Sequence, residues 1–211
     1  MRIGVIQASS QKDKNEILYQ CVKKAVGENH EVINFGVNDH TTMNYSYIEV
    51  AMMVSLLLAS ESVDFMVTGC SSGQGMMLAC NSLPGVICGY VPTGEDAFLF
   101  GRINDGNAVS LSLGLHYGWC GEIRLQGILD CLFDEPFGIG YPSHDAKRKQ
   151  RDTKLLKHMY QVGHKTWDEL IPLLDQKSFH KALDYIYDDI LSYGQNDHMK
   201  ELLKNYKKED E

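Results

Sequence analysis

Val67-Thr68-Gly69-Cys70-Ser71-Ser72-Gly73-Gln74-Gly75, followed by Met76-Met77-Leu78-Ala79-Cys80-Asn81, is the stretch from which the fold of this chain can be read. An apolar run from Val63 to Thr68 leads into it and an apolar segment of helical character follows, which predicts strand, tight loop and helix in that order. Gly73 and Gly75 suit a backbone that takes positive φ or comes close to a ligand. The first N–H groups of a helix lack intrahelical acceptors and attract negative charge, so the loop predicts an anion site with Cys70 beside it. No Gly-Lys-Ser/Thr follows, so this is not a Walker loop, and the third glycine and later acid of a dinucleotide fingerprint are misplaced. Taken alone, a glycine-rich turn after a strand is as often plain structure as a site.

Working outward, the same alternation recurs. Short apolar runs at Ile3–Ile6, Glu31–Phe35, Val86–Val91 and Ala108–Leu113 predict four more strands. Between them lie helical patterns at Lys12–Gly27, Tyr47–Ser60, Glu95–Gly101 and Gly118–Phe133, with a polar loop from Gly36 to Met43. Alternating strands and helices predict an α/β fold, a five-stranded parallel sheet in a Rossmann-like three-layer sandwich. Ligands in such sheets bind at the carboxyl ends of the strands, which gathers Gln7–Ser10, the Cys70 loop, Val91–Gly94 and Gly114–Tyr117 at one edge. From Ser143 onward only helical patterns remain, at Lys147–Tyr160, Thr166–Leu174, Ser178–Tyr193 and Asp197–Tyr206, with Thr166 and Ser178 as candidate caps and a frayed tail from Lys207. The expected division is residues 1–142 as the α/β domain and 143–211 as an all-α C-terminal extension.

The 211 residues carry a formal net charge of −8, which argues against nucleic acid or an anionic membrane as the main partner. The charge is uneven: up to Pro142 there are seven Lys and Arg against fifteen Asp and Glu, and thirteen of each after it. An anionic substrate bound by the first part has few cations to choose from: Arg2, Lys12, Lys14, Lys23, Lys24, Arg102 and Arg124. The six cysteines form no CxxC pair and no zinc spacing, so no metal is expected. Met1-Arg2 runs straight into the first strand with no signal peptide, and no apolar run is long enough to span a bilayer, so the expected compartment is the cytoplasm.

Several motifs in order then carry a resemblance. Thr68-Gly69-Cys70-Ser71-Ser72-Gly73-Gln74-Gly75-Met76, Ala79-Cys80-Asn81 and Pro84-Gly85-Val86 resemble the signature of the ribose-5-phosphate isomerase B and galactose-6-phosphate isomerase family. Asn104-Asp105-Gly106-Asn107 is similar to its H-N-D-x-N, and Asn44-Tyr45 with Tyr47 to its D-Y-x-x-Y. The likeness covers residues 1–142, and the remaining chain resembles a longer subgroup with a helical extension. The family interconverts aldose and ketose phosphates through an enediolate. The resemblance implies Cys70 as the base, Ser72 as a proton shuttle, and Ser71, Gly73, Gly75 and Asn104 as the anion hole. It implies a sugar phosphate as partner, no cofactor, and a homodimer, or a tetramer of paired dimers, with sites near the subunit interface. Ser9, Ser10, Tyr45 and His116 join the candidate substrate-binding residues.

Three departures bear on the substrate. Gln7-Ala8-Ser9-Ser10 stands where the family has Ser-Asp-His-Ala, Ile103 stands where it has the ring-opening histidine, and its paired late arginines have no match around Gly138–Pro142. Lys147, Arg148 and Arg151 are then the candidates to hold a phosphate, against the plainer reading of a solvated basic helix face. The expectation is that ribose 5-phosphate is a poor substrate. Two other readings stay open: a non-catalytic sugar-phosphate-binding protein on this fold, and a thiol redox protein using Cys70.

Overall fold

The computed structural model describes residues 1–38 and 42–208; positions 39–41 of the expected polar loop and the tail from 209 lie outside them. Five strands form one parallel sheet: β1 Arg2–Val5, β2 Glu31–Asn34, β3 Phe65–Cys70, β4 Cys88–Tyr90 and β5 Ala108–Ser112, in the order β2-β1-β3-β5-β4. The chain leaves β1 for β2 on one side and returns to β3 on the other. The order therefore reverses between β1 and β3, and a crevice opens at their carboxyl ends. The backbone of Ile6 and Ala8 continues that pairing past β1, donating to Val67 and Gly69 at 3.1 and 3.0 Å.

Helices α1 Asn15–Val26, α4 Gly94–Leu99 and α5 Gly121–Phe133 cover one face of the sheet, burying Leu18, Val22, Ala97, Leu125 and Leu129 against Ile3, Val5, Val67 and Val109. Of Ile123, Ile128, Leu129 and Leu132, which the helical pattern at Gly118–Phe133 sets inward, the last three are buried with Leu125 beside them, and Ile123 is 68% exposed. A 3-10 turn at Ser9–Lys14 delays α1, and Gly118, at φ +60, keeps 118–120 out of α5.

The other face is covered by α2 Tyr47–Ala59 and α3 Gln74–Asn81. Every residue from Glu49 to Leu57 is buried, as an apolar run with no polar side requires of a helix packed all round. The outer packing comes from the extension: α6 Ala146–Gly163, α7 Trp167–Leu170, α8 Gln176–Tyr193 and α9 Asp197–Lys208. Trp167, Phe179, Leu183, Ile186 and Ile190 share one core with α2, so the boundary at residue 142 divides a single packed body. Thr166 caps α7 in a reciprocal box with Glu169. The cap of α8 is Asp175 and not Ser178, whose N–H the Asp175 carboxylate accepts at 2.9 Å; an acid three residues earlier wins because a helix cap bonds the third following N–H. No described helix is long and apolar enough to cross a membrane.

Candidate active site

Cys70 is the last residue of β3 and is paired with Ser112 on β5. Its sulfur accepts the Gly73 N–H at 3.2 Å, and α3 starts one residue later at Gln74. Gly73 has φ +79, the left-handed region, and a Cβ there would sit 2.7 Å from the Tyr90 ring and 2.9 Å from the Leu111 backbone. Only glycine makes this turn without strain. Gly75 lies within α3, where a Cβ would come 3.4 Å from the Tyr47 ring, so its smallness keeps room over the helix start. The loop is pinned from β5: Ser110 donates to Gly73 O at 2.6 Å, and Gly114 and Leu115 donate to Ser71 O at 3.0 and 2.8 Å.

A cleft of about 410 Å³ opens in front of the sulfur, walled by Ala8, Ser10, Tyr45, Ser46, Tyr47, Cys70, Ser71, Ser72 and Gly75. It lies at the reversal point of the sheet. Of the expected residues it gathers Ser10, Tyr45, Cys70, Ser71, Ser72 and Gly75. Ser9 stands behind the wall, buried, exchanging bonds with Tyr45: its hydroxyl accepts the Tyr45 N–H at 2.7 Å and its N–H donates to Tyr45 O at 3.0 Å. Sequence reasoning missed Gln11, which donates to the Ser71 hydroxyl at 2.9 Å, and Ser46. The polar run Gln7–Gln11 was the available signal for Gln11.

The wall is rich in hydroxyls, and every described residue lining it is uncharged. The cations of the first 142 residues are engaged elsewhere or stand outside the wall. Arg2 donates to Tyr193 O and Glu61 O at 2.7 Å each, and Arg124 donates to His116 O at 3.0 Å. Lys14 pairs with Asp13, and Lys12 lies half-buried on the 3-10 turn. Arg102 is fully buried, stacked by Phe98 and Phe137 and bonded to Leu132 O at 2.8 Å; burial holds its pKa below the usual value.

Asn104, Arg148 and Arg151 form a second group. Asn104 ends a π-helical segment, Phe100–Asn104, that precedes β5, at the edge of the sheet opposite Cys70. About 13 Å of strand separates the two edges, so Asn104 does not complete the Cys70 anion hole within one chain. Helix α6 packs on this segment, with Thr153 donating to Ile103 O at 2.5 Å and Lys157 paired with Asp105 at 2.5 Å. Arg148 is held by Asp145, through Nε at 2.9 Å, and by Asp152 at 3.0 Å; Arg151 also bonds Asp152, at 2.9 Å. These bonds to Arg148 and Arg151 hold the Asp145 and Asp152 carboxyls below their usual range. His116 lies at the Cys70 edge but faces a separate small hollow with Pro92, Tyr117 and Arg124.

No other cysteine lines the cleft among the described residues. Cys80 and Cys88 are buried next to one another, where the hydrogen bond between the Cys88 thiol and Cys80, with burial, pushes the Cys88 thiol well up.

Comparison with known proteins agrees with this architecture. A family model described as Ribose/Galactose Isomerase matches residues 3–122. A solved structure of 4-deoxy-L-threo-5-hexosulose-uronate ketol-isomerase complexed with a tartrate is 32% identical, with TM-score 0.91, and the match covers 97% of this chain and 98% of that one. Ribose-5-phosphate isomerase LacAB_rpiB from Vibrio parahaemolyticus is 34% identical, with the same TM-score and coverage. The type B ribose 5-phosphate isomerase of Trypanosoma cruzi is 24% identical with TM-score 0.64, and 78% of this chain covers all of it; the rest of this chain has no counterpart there. No curated protein sequence matches the chain.

Proposed function

The chain belongs to the ribose/galactose isomerase family, and from that premise we propose that it is a ketol-isomerase that interconverts an aldose and a ketose through an enediolate, with Cys70 as the base. One observation carries this reading: the Cys70 sulfur faces a hydroxyl-lined cleft at the sheet's reversal point while taking an N–H from the turn that starts α3. A thiolate there removes the proton from the hydroxyl-bearing carbon next to the carbonyl. The negative charge moves onto the former carbonyl oxygen, where free N–H groups at the head of α3 and the Ser71 and Ser72 hydroxyls are within the same cleft wall. The Ser72 hydroxyl carries a proton from one oxygen to the other, and the thiol returns its proton to the neighbouring carbon. Atoms and charge balance with no co-reactant.

The active unit in this reading is a homodimer. Asn104 and the α6 arginines cannot reach the cleft of their own chain, but a two-fold partner can present them to it. Leu155, Leu156, Met159 and Val162 are exposed along α6, an apolar face that a second copy would cover.

For the substrate, the family points to a sugar phosphate. A second reading, an unphosphorylated keto-uronate, is favoured by the 32%-identical ketol-isomerase, and its single carboxylate brings less charge than a phosphate to the uncharged cleft wall. Both classes offer the same hydroxycarbonyl group to Cys70. Product analysis over pentose phosphates, hexose phosphates, free sugars and keto-uronates tests the proposal. Isomerisation of at least one class is expected, with ribose 5-phosphate at least about tenfold below the best substrate in kcat/KM. Cys70→Ala is expected to lose about 10²- to 10⁴-fold in kcat with its fold intact. A fully active Cys70→Ala protein, or no isomerisation of any class, would overturn it.

A further inference from the structure

Three residues of the cleft wall, Tyr45, Ser46 and Tyr47, sit on one short segment at the start of α2. On its inner side that segment is tied to the end of β1 through Ser9. On its outer side it is held by α8, which belongs to the extension. The Lys181 ammonium donates to Asn44 O at 2.7 Å and to the Glu49 carboxylate at 2.8 Å, and lies 5.0 Å over the Tyr45 ring. One turn on, the Tyr185 ring stands 4.8 Å from the Tyr45 ring, tilted by 48°. Glu49 is the acid of the capping box that starts α2: it accepts the Ser46 N–H at 2.7 Å, while Ser46 accepts the Glu49 N–H at 3.3 Å. Lys181 therefore touches this segment through a backbone carbonyl, a ring and the cap itself.

We propose that Lys181 and Tyr185 are positioning residues through which the C-terminal extension sets the placement of Tyr45 and Tyr47, and thereby which substrates the cleft accepts. The inference rests on the reading of the Cys70 cleft as the active site. Neither side chain lines the cleft, so neither touches substrate; each acts through the segment it grips. Burial pushes the Tyr185 phenol up to about 12, so the ring against Tyr45 stays neutral in the working range. Hydrogen bonds from Lys181 and Ser46 outweigh the opposing effect of burial and hold the Glu49 carboxyl below its usual value, so the carboxylate at the cap keeps its charge. The Tyr47 ring packs over Gly75 at the head of α3, so a shift of the segment moves the wall next to the base. The contact also gives the extension a task that a chain lacking it must manage otherwise.

The test uses Lys181→Met, which keeps an apolar stem, Tyr185→Leu, and Lys181→Arg as the conservative variant. The readouts are kcat and KM for the best phosphorylated and best unphosphorylated substrates of the panel above, with the thermal midpoint alongside. Lys181→Met and Tyr185→Leu are expected to raise KM about five- to tenfold with kcat within about twofold, and to move the kcat/KM ratio between substrates about fivefold; Lys181→Arg restores most of both. KM values and selectivity unchanged in both variants, or a lower thermal midpoint without a change in KM, would show a strut and overturn the proposal. If one variant fails to fold, the other decides. Cys70→Ala keeps the two readings apart. If it is inactive while Lys181→Met behaves as wild type, only the positioning role falls; if it is active, the cleft reading falls and this inference with it.

Discussion

The two ends of the sheet differ in kind. At the carboxyl edge, Cys70 opens onto a cleft of hydroxyls and backbone donors with no charged residue in its described wall. At the amino edge, Asn104 lies under a helix whose arginines are already matched by Asp145 and Asp152. One end has a thiol and no charge in its described wall; the other has paired charges. A parallel strand sends its two ends to opposite sides of the molecule, so a single chain cannot bring Asn104 to Cys70 however its loops move. The difference teaches that the thiol cleft and the arginines stand apart within one chain, so the proposed homodimer is what would bring them together.

The sharpest way to break that comparison is a mixing experiment. Asn104→Ala is expected to cost roughly 10²-fold in kcat if Asn104 donates to the enediolate oxygen. Refolding Cys70→Ala and Asn104→Ala chains together should then restore about a quarter of wild-type activity, because half of the dimers carry one intact site. Absence of any recovery, with dimers confirmed by light scattering, would mean the two ends do not meet.

A smaller effect separates backbone from cleft within the carboxyl edge. Gly73→Ala places a Cβ at φ +79 against Tyr90 and the Leu111 backbone, and should lower stability by about 1–3 kcal/mol as well as activity. Gly75→Ala meets only the Tyr47 ring and should change KM with little change in the denaturation midpoint. Equal stability losses in the two variants, measured in urea, would refute the distinction.

Smallest is the effect expected at the amino edge. Arg148 is exposed and engaged with two carboxylates, and exposed pairs contribute little to stability. Arg148→Ala should leave the thermal midpoint unchanged and raise KM about two- to threefold for a phosphorylated substrate only. A larger rise would mean that Arg148 leaves Asp145 to bind phosphate; no change for any substrate would remove it from the site.

Much of this was legible in the residues. The strand–loop–helix order around Cys70, the five parallel strands and the helix at α2 follow from local periodicity, since backbone pairing and apolar burial act over a few residues at a time. So did the need for glycine at position 73 and the cap at Thr166. The cap of α8 was misplaced by three residues, and Ile123 was set inside when it faces out, because helix phase depends on what a helix packs against and not on its composition alone.

What only the tertiary structure decided is which of these pieces stand together. The motif Asn104-Asp105-Gly106-Asn107 reads the same whether it lies beside Cys70 or a strand's length away, because sequence spacing carries no record of which sheet edge a loop reaches. Nor does the composition of α8 reveal that Lys181 and Tyr185 grip a segment more than 130 positions earlier in the chain. The place of Cys70, at a strand end before a glycine turn and a helix start, was written in the local sequence. The reach of the charges, the seat of the extension and the wall of the cleft arise from long-range packing, which comes into being only when the sheet and its helices close on one another.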